Sequence, residues 1–308
     1  MQFKDHALLH QSRCNGKGFS KSPAIFSSET LYAYIRFWQV APFAVQLTVR
    51  AVFLRVTRNE SSAISDNRAL TGLARAISKS GYCSRSVARS LIVSGQVRVS
   101  GHVVRDTEKP VTLGRDVIEV DGEKIAPAKR VYVAMNKPRG IVTSARDEKG
   151  RATVYSLLPQ DSPWVAPVGR LDKASEGLLL LTNDTEWGAR ILSPDSHVER
   201  TYHVQIATVA DQELVNALIR GKTVDGDSLC VKRATIVRIG NKNSWLEIVL
   251  DEGKNRHIRR LLAALSIRIL RLIRIAVGSV VLGDLPKGKF RELTCQERTA
   301  LGKARRSG

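Results

Sequence analysis

The chain has 308 residues, with 49 Lys and Arg against 29 Asp and Glu, which gives a formal net charge of +20. This length accommodates one large and one smaller domain, and a content of 43% hydrophobic and 25% charged residues excludes wholesale disorder. The charge favours a nucleic acid as partner over an acidic protein or a role in solubility alone. Cys14, Cys83, Cys230 and Cys295 have no paired spacing. Neither a disulfide framework nor a zinc site is therefore indicated, and a reducing cytoplasm fits best.

The first 68 residues are predicted to form a poorly ordered N-terminal extension. Its apolar region from Leu31 to Val56 is interrupted by Arg36 and Pro42, among others, and its longest uncharged stretch falls short of the roughly 20 residues that a membrane span requires. The amino terminus does not have the order of basic, apolar and small residues that defines a secretory signal. Because the extension is rich in Arg and Ser and poor in acidic residues, two explanations stay open: an organellar transit segment, or an upstream start codon.

Residues 69–125 are predicted to form a small α/β domain. Apolar residues at helical spacing indicate two short helices, with inward faces formed by Leu70, Leu73 and Ile77 in the first and by Val87, Leu91 and Ile92 in the second. Ser84 is a candidate N-cap of the second helix, and Gly95 a candidate end. Short strands are predicted at Gln96–Val99 and Val117–Val120.

Basic residues concentrate on one side of these helices and on the strand that follows, at Arg75, Lys79, Arg85, Arg89 and Arg98. Such a surface suits a phosphate backbone, although spacing alone is equally compatible with a solvated helix face. The runs Ala76–Arg85 and Leu91–Gly101 resemble the RNA-binding domain named after small-subunit ribosomal protein S-four. That resemblance implies that the helix pair binds structured RNA.

A linker is predicted at residues 123–130, followed by a larger domain over residues 131–293 and a basic tail over residues 294–308. The hydrophobic pattern of the larger domain predicts strands at Val131–Met135, Leu178–Leu181, Thr201–Ile206, Val231–Ile239 and Trp245–Leu250, and helices at Asp211–Ile219 and Asn255–Leu265. Because strands and helices do not alternate regularly, a mixed-sheet α+β domain is favoured over a doubly wound one.

A candidate site lies between Pro167 and Asp184, where a charged loop containing Gly169, Arg170 and Asp172 leads into an apolar strand. Active groups often lie on such loops, and a carboxylate beside a buried strand can be held in one orientation. Taken alone, however, an Asp in a loop is more often a turn or capping residue.

This segment is one of several that occur together in an order typical of one enzyme family. The others are Asn136–Gly140, Glu199–Tyr202, Glu252–Arg260 and Gly288–Leu293. In these segments the chain resembles the RsuA-type pseudouridine synthase family, and together with the S-four-type domain the resemblance covers residues 70–293. It implies isomerisation of a uridine in RNA to pseudouridine, without a cofactor and without a metal ion.

The resemblance also implies roles for individual residues. Asp172 acts on the target uridine, either as a nucleophile at the sugar or as a base that removes a ribose proton, and Arg259 pairs with its carboxylate. Tyr202 stacks on the target base, and Arg170 fills the gap that the flipped nucleotide leaves. Arg256 and Arg260 share the basic side of the helix with Arg259 and are expected to be exposed contacts with phosphate or solvated charges. Lys137 is a further candidate contact with RNA.

Two residues depart from the pattern of the family. Arg200 stands where Lys is commoner before Thr-Tyr, and His257 stands where Gln is commoner before Ile-Arg. The first departure preserves the positive charge. The second puts substrate preference, rather than activity, in doubt. A histidine without a partner in the sequence is weak evidence for a general base.

The expected function is therefore that of a monomeric, cytoplasmic enzyme that modifies ribosomal RNA, with the large subunit favoured over the small one. One alternative is an RNA-binding ribosome-assembly factor that has lost activity, which the presence of Asp172, Tyr202 and Arg259 together argues against. A second alternative is a metal-dependent ribonuclease, but the acidic residues form no obvious set of ligands. The sequence does not identify the uridine.

Overall fold

The computed structural model describes residues 70–145 and 150–303. The N-terminal extension expected over residues 1–68 lies outside this part of the chain, as do residues 304–308. None of the helices found in the described part combines the length and the apolar character needed to cross a membrane.

The first domain pairs two helices with short antiparallel strands. Its elements are Thr71–Gly72 (β1), Leu73–Lys79 (α1), Arg85–Val93 (α2), Val97–Val99 (β2), His102–Val103 (β3), Pro110–Val111 (β4), Ile118–Val120 (β5) and Glu123–Lys124 (β6). Strands β3, β2, β5 and β6 form one sheet in that order, and β1 pairs with β4. The predicted small α/β domain is thus confirmed, and its last strand extends into the segment expected to be a linker.

The capping of α2 decides which of its residues are buried. The side chain of Ser84 accepts a hydrogen bond from the backbone N–H of Val87 at 3.2 Å, so it is the N-cap that the sequence predicts. From this start Ala88 and Ile92, four residues apart, face the core, whereas Val87 is 47% exposed. The inward position predicted for Val87 was wrong. Leu70 is also exposed, because α1 begins only at Leu73.

The second domain contains a large mixed sheet flanked by helices. Its strands are Tyr132–Lys137 (β7), Ala166–Val168 (β8), Glu176–Thr182 (β9), Arg200–Ile206 (β10), Lys222–Val224 (β11), Asp227–Leu229 (β12), Arg233–Ile239 (β13), Ser244–Leu250 (β14), Ile269–Val277 (β15), Val280–Val281 (β16) and Phe290–Glu292 (β17). Its α-helices are Thr185–Leu192 (α3), Gln212–Arg220 (α4), His257–Ala264 (α5) and Cys295–Gly302 (α6). Short 3-10 helices form at Val154–Leu157 and Pro194–Ser196.

Within the described residues the main sheet has nine strands, seven of them in the order β13, β14, β10, β15, β9, β7 and β17. Strands β9 and β15 run parallel, and the other strand pairs of this sheet are antiparallel. One apolar core joins β10 and β14 to α4 and α5, and another joins β7 and β9 to α3 and α6. The β9–β15 pair lies between these two halves. The α+β class expected from the sequence is confirmed.

Helix α6 corrects the end expected for this domain. Residues from 294 onward were expected to be a basic tail, but Leu301 is buried and the indole N–H of Trp187 donates to the carbonyl of Arg298 at 3.1 Å. Thr294 caps the helix, and Glu297 completes a capping box with it. The capping box therefore starts a helix that packs on α3 through Leu301. The prediction of a tail relied on the basic composition of this segment and overlooked the capping residues.

The turn between α1 and α2 contacts the second domain. The carbonyl of Gly81 accepts a hydrogen bond from the backbone N–H of Trp164 at 2.8 Å, and that of Ser80 accepts one from Ala128 at 2.9 Å. Gly81 has a φ of 76°, and a Cβ atom there would lie 2.8 Å from the Cβ atom of Ala128. The close approach of the two backbones therefore requires glycine at this turn.

Candidate active site

The loop that carries Asp172 is fixed by backbone contacts on both sides. The hydroxyl of Thr143 donates to the carbonyl of Leu171 at 2.9 Å and accepts from its N–H at 3.3 Å. The N–H of Ser175 donates to the carbonyl of Asp172 at 3.0 Å, and the N–H of Gly140 donates to that of Lys173 at 2.8 Å. Because these bonds tie the loop to the segment after β7, Asp172 is presented in one position before β9 begins.

Two arginines meet one oxygen of the Asp172 carboxylate. The Nε atom of Arg259 lies 3.4 Å from Oδ2, and the Nη1 atom of Arg256 donates to the same oxygen at 3.3 Å. The Arg259 contact is an ion pair without hydrogen-bond geometry, since its Nε has no hydrogen-bond partner among the described residues. The structure thus brings Arg259 to Asp172, as the resemblance implies. It adds Arg256, which the sequence indicates only as a contact with RNA.

The two arginines differ in how firmly they are held. Arg259 is only 16% exposed, and its Nη2 atom also donates to the carbonyl of Ala174 at 3.1 Å and to the hydroxyl of Ser175 at 3.0 Å. Burial lowers the pKa of Arg259, and the charge of Asp172 acts in the opposite direction. Arg256 is 52% exposed and sits at the N-cap of α5 with a left-handed φ of 50°. Arg259 is therefore the fixed cation and Arg256 the solvent-facing one.

Asp172 opens into a cavity of about 500 Å³. The walls include Arg170, Tyr202, Arg256 and Arg259, so five of the residues singled out in the sequence meet at one place. Its size is within the range of pockets that enclose a small molecule or one nucleotide base. The cavity lies at the junction of the two halves of the sheet, because its walls come from the loop before β9, from β10 and β15, and from the segment leading into α5.

A bulge in the sheet sets the direction of the Tyr202 side chain. Tyr202 lies on β10 opposite Arg274 of β15, and the register shifts between Thr201 and Tyr202, where Ala276 and Arg274 are the successive partners. A β-bulge of this kind increases the local twist and re-aims a side chain. Tyr202 is half-buried and lines the cavity, where its ring can serve as a wall for a flat ligand.

Arg260 and Lys137 do not face the cavity. The contact with RNA expected for Lys137 is corrected by its burial, whereas the one expected for Arg260 stays a prediction. The Nη1 atom of Arg260 pairs with Asp227 at 2.7 Å, and its Nη2 donates to the carbonyl of Val224 at 2.7 Å. Successive residues of a helix differ by about 100° in direction, so Arg259 and Arg260 cannot serve the same site. Lys137 is fully buried.

The ammonium group of Lys137 supports the loop of Asp172 instead. It donates to the carbonyl of Ser175 at 2.9 Å and to that of Pro138 at 3.0 Å. Burial lowers the pKa of Lys137 to about 8, while the charges of Asp172 and Glu176 act in the opposite direction. A buried lysine that bonds to backbone carbonyls stabilises a fold but offers no charge to a phosphate.

The two departures from the family pattern both lie at the cavity. His257 begins α5 and is buried, and neither ring nitrogen has a hydrogen-bond partner among the described residues. Its Nδ1 lies 3.5 Å from an oxygen of Glu252, and burial lowers its pKa. Arg200 donates to the carbonyls of Val198 at 3.0 Å and Ile191 at 3.1 Å, so it ties β10 to α3.

Sequence reasoning missed two residues of the site. Thr143 follows the Asn136–Gly140 segment and fixes the loop of Asp172, but a threonine in a loop carries no signal of its own. Arg274 is buried in the cavity wall on β15. The sequence could have indicated Arg274 only as a charged residue within an apolar strand. Arg274 lies outside the segments that resemble the family.

The basic surface of the first domain is less uniform than its sequence indicates. Arg75, Arg85 and Arg98 are exposed, and Arg98 donates to the carbonyl of Gly101 at 3.2 Å. Lys79, however, pairs with Glu186 of α3 at 3.2 Å, and Arg89 pairs with Glu108 at 3.3 Å. Lys79 thus takes part in the contact between α1 and the second domain, and its expected contact with RNA stays a prediction.

Comparison with families of known proteins gives a match in each domain. Residues 131–264 match the family described as RNA pseudouridylate synthase, and residues 71–117 match the S4 domain. The first range contains the loop of Asp172, strand β10 and helix α5. The second contains the helix pair α1 and α2.

Individual proteins match over most of their length. An uncharacterised RNA pseudouridine synthase of Aquifex aeolicus is 38% identical over 74% of this chain and 92% of its own. The ribosomal large subunit pseudouridine synthase B of Bacillus subtilis is 34% identical over 73% of this chain and 93% of its own. A crystal structure of a pseudouridylate synthase superimposes with a TM-score of 0.53 at 29% identity, covering 75% of this chain and 99% of that one.

Proposed function

Because the chain belongs to the RNA pseudouridine synthase family and is thus an isomerase that converts uridine to pseudouridine, we propose that Asp172 is the group that acts on the target uridine. The observation that carries this proposal is the Asp172 carboxylate, which faces a base-sized cavity with Arg256 and Arg259 on one of its oxygens. The two guanidinium groups pair with the carboxylate and hold it in one orientation at the cavity.

The reaction exchanges one bond of the ribose for another. The bond between N1 of uracil and C1′ of ribose breaks, the base rotates, and C5 bonds to C1′. The proton on C5 is lost and N1 gains one, so substrate and product have the same composition. Asp172 either attacks C1′ or removes a ribose proton, and both roles need a free carboxylate oxygen. Since Arg256 and Arg259 contact Oδ2, Oδ1 is the oxygen available to the sugar.

A uridine inside a helix cannot reach this carboxylate, so the target base has to leave its stack. We assign Tyr202 as the surface on which the extruded uracil stacks, since its ring lines the cavity. Arg170 is exposed at the rim, where it can occupy the gap in the RNA. Arg259, buried and held by Ala174 and Ser175, orients the carboxylate.

We further propose that the substrate is ribosomal RNA of the large subunit, modified by a monomeric enzyme in the cytoplasm. Support comes from the Bacillus relative, which is named for the large subunit, and from the S4 domain. The test is a map of pseudouridines in ribosomal RNA from cells with and without this gene, complemented by the parental protein or by Asp172→Asn. One large-subunit site should disappear and return only with the parental protein. Identical pseudouridine maps of ribosomal RNA with and without the gene would refute this substrate. The proposed role of Asp172 would then be tested with the purified protein on other RNA.

The S4 domain contributes affinity through the exposed cations of α1 and α2. Arg85→Gln is expected to weaken RNA binding and to reduce the slope of log K against log salt by about 1, because one phosphate contact and its released counterion are lost. Arg89→Gln should have a smaller effect, since Glu108 already pairs with Arg89. Binding is measured over a salt series.

A matched control for this prediction is Arg115→Gln, which removes the same charge from the turn before β5 of the same domain. If log K against log salt had the same slope for Arg85→Gln, Arg115→Gln and the parental protein, Arg85 would be a solvated charge and not a contact with phosphate.

A further inference from the structure

Arg274 is a buried cation in the wall of the active-site cavity without a matching anion. Its side chain is only 4% exposed, and Nε donates to the carbonyl of Leu178 at 2.7 Å. The Nη2 atom has no hydrogen-bond partner, and among the described residues no carboxylate lies within 4.0 Å of the guanidinium. Burying a charge without a partner is costly, and such groups tend to persist where a ligand supplies the partner.

The neighbouring cations of the same strand and cavity have partners. Arg271, three residues earlier on β15, pairs with the buried carboxylate of Glu176 at 2.9 Å, and Lys287 pairs with the other oxygen at 2.8 Å. Arg259 is committed to Asp172 and Arg200 to two backbone carbonyls. Among the described residues, Arg274 differs from Arg271, Lys287 and Arg259 in having no carboxylate within 4.0 Å. It differs from Arg200 in having a buried donor atom, Nη2, without a hydrogen-bond partner.

The backbone around Arg274 is fixed relative to the loop of Asp172. Gly177, at the start of β9, has a φ of 105°, and a Cβ atom there would lie 2.3 Å from the carbonyl oxygen of Arg274. On the other side Arg274 pairs with Tyr202 in the sheet. The backbone of Arg274 is thus held between β9, which follows Asp172, and β10, which carries Tyr202. In the proposed function the target base lies in the cavity between Asp172 and Tyr202.

We propose that Arg274 stabilises the negative charge of the uracil ring while it is detached from the ribose. This inference rests on the proposed function of Asp172. When the bond between N1 and C1′ breaks, its electron pair stays on the ring and is delocalised over N1, O2 and O4. C1′ bonds to the Asp172 oxygen, or C2′ gives its proton to that oxygen, and in either case the detached ring is anionic. When C5 bonds to C1′, the bond between C1′ and Asp172 breaks, or C2′ takes its proton back. The C5 proton is then exchanged for one on N1.

A cation in a dry, preorganised site is effective for this purpose, because little solvent screens it and no reorganisation is needed. The guanidinium of Arg274 can attract the anionic ring throughout its rotation, whether N1, O2 or O4 faces the cavity wall. The guanidinium is a donor to carbonyl oxygens, and uracil presents two of them.

The test compares Arg274→Met and Arg274→Lys with Arg271→Met, a control on the same strand that removes the same charge and similar volume and leaves Glu176 paired with Lys287. Full-length proteins are assayed in single turnovers on an RNA with uridine at the target position. A second RNA has 5-fluorouridine there, whose electron-withdrawing fluorine stabilises the ring anion. Loss of the starting nucleoside, RNA affinity and thermal unfolding are measured.

Arg274→Met is expected to slow loss of uridine by about 100-fold, the effect of removing one preorganised charge donor, with RNA affinity close to parental. Arg274→Lys should retain more of the rate. The deficit should shrink on the 5-fluorouridine RNA, because that ring needs less stabilisation. Equal deficits on both RNAs, or a parental rate in Arg274→Met, would overturn the inference. If the Met variant does not fold, the same comparison of the two RNAs is made with Arg274→Lys. If the parental protein forms no pseudouridine, the proposed function fails instead.

Discussion

Asp172→Asn is expected to lower the rate of pseudouridine formation by about 10⁴-fold, the upper end of the range for loss of a group that acts in the chemical step. The amide cannot attack C1′ and cannot accept a ribose proton, but it has nearly the same shape. Folding should be little affected, because Asp172 is partly exposed and the contacts of its side chain are to Arg256 and Arg259. RNA affinity should stay equal or increase, since both arginines lose their anion. Single-turnover rates and binding measurements check this.

The control for this prediction is Asp225→Asn. Asp225 is 80% exposed beside Arg260, away from the cavity, and its φ of 51° is one that asparagine accepts readily. This variant should modify RNA at the parental rate. A parental rate in Asp172→Asn would contradict the assignment of the catalytic group.

Arg259→Gln is expected to lower the rate by about 10²- to 10³-fold, as expected for removal of one preorganised charge contact. Glutamine keeps some polar contact with Ser175 but neither the charge nor the fixed orientation at Asp172. Arg256→Gln should have a smaller effect on the rate and a larger one on RNA affinity, because Arg256 is half exposed and can turn towards a phosphate. Rates at saturating RNA and dissociation constants separate the two contributions.

Arg260→Gln is a matched control on the same helix. Arg260 pairs with Asp227 and Asp225, both well exposed, so its loss leaves no charge buried without a partner. Near-parental rates are expected. If Arg260→Gln were as slow as Arg259→Gln, the effect would reflect the stability of α5 rather than the contact with Asp172.

Much of the fold could be predicted because its signals are local. Ser84 caps α2 through a side chain three residues away from its donor, and the alternation of β10 and the apolar run of β9 identify these strands. The end of the second domain predicted at residue 293 was wrong, because the docking of α6 depends on a contact that is distant in sequence. Helix α6 is weakly amphipathic, and Leu301 is buried only because α3 is there to cover it.

The site was predicted in part. Asp172, Tyr202, Arg170 and Arg259 were identified from segments in a known order, and the structure places them around one cavity. Arg256 and Arg260 could not be told apart, because both are basic residues of one segment and only the left-handed backbone at Arg256 and the direction of α5 separate them.

The sequence by itself determined the order of an S4-type domain and a larger catalytic domain, the α+β class and the family segments around Asp172, since these depend on residue type, spacing and order along the chain. Only the tertiary structure decided which charged side chains have a partner within the protein. Lys137 turned inward to backbone carbonyls, Lys79 paired across the domain contact, and Arg274 was left without an anion. The physical reason is that the partner of a charge, and the solvent around it, are set by residues up to about a hundred positions away, which lie close only after folding.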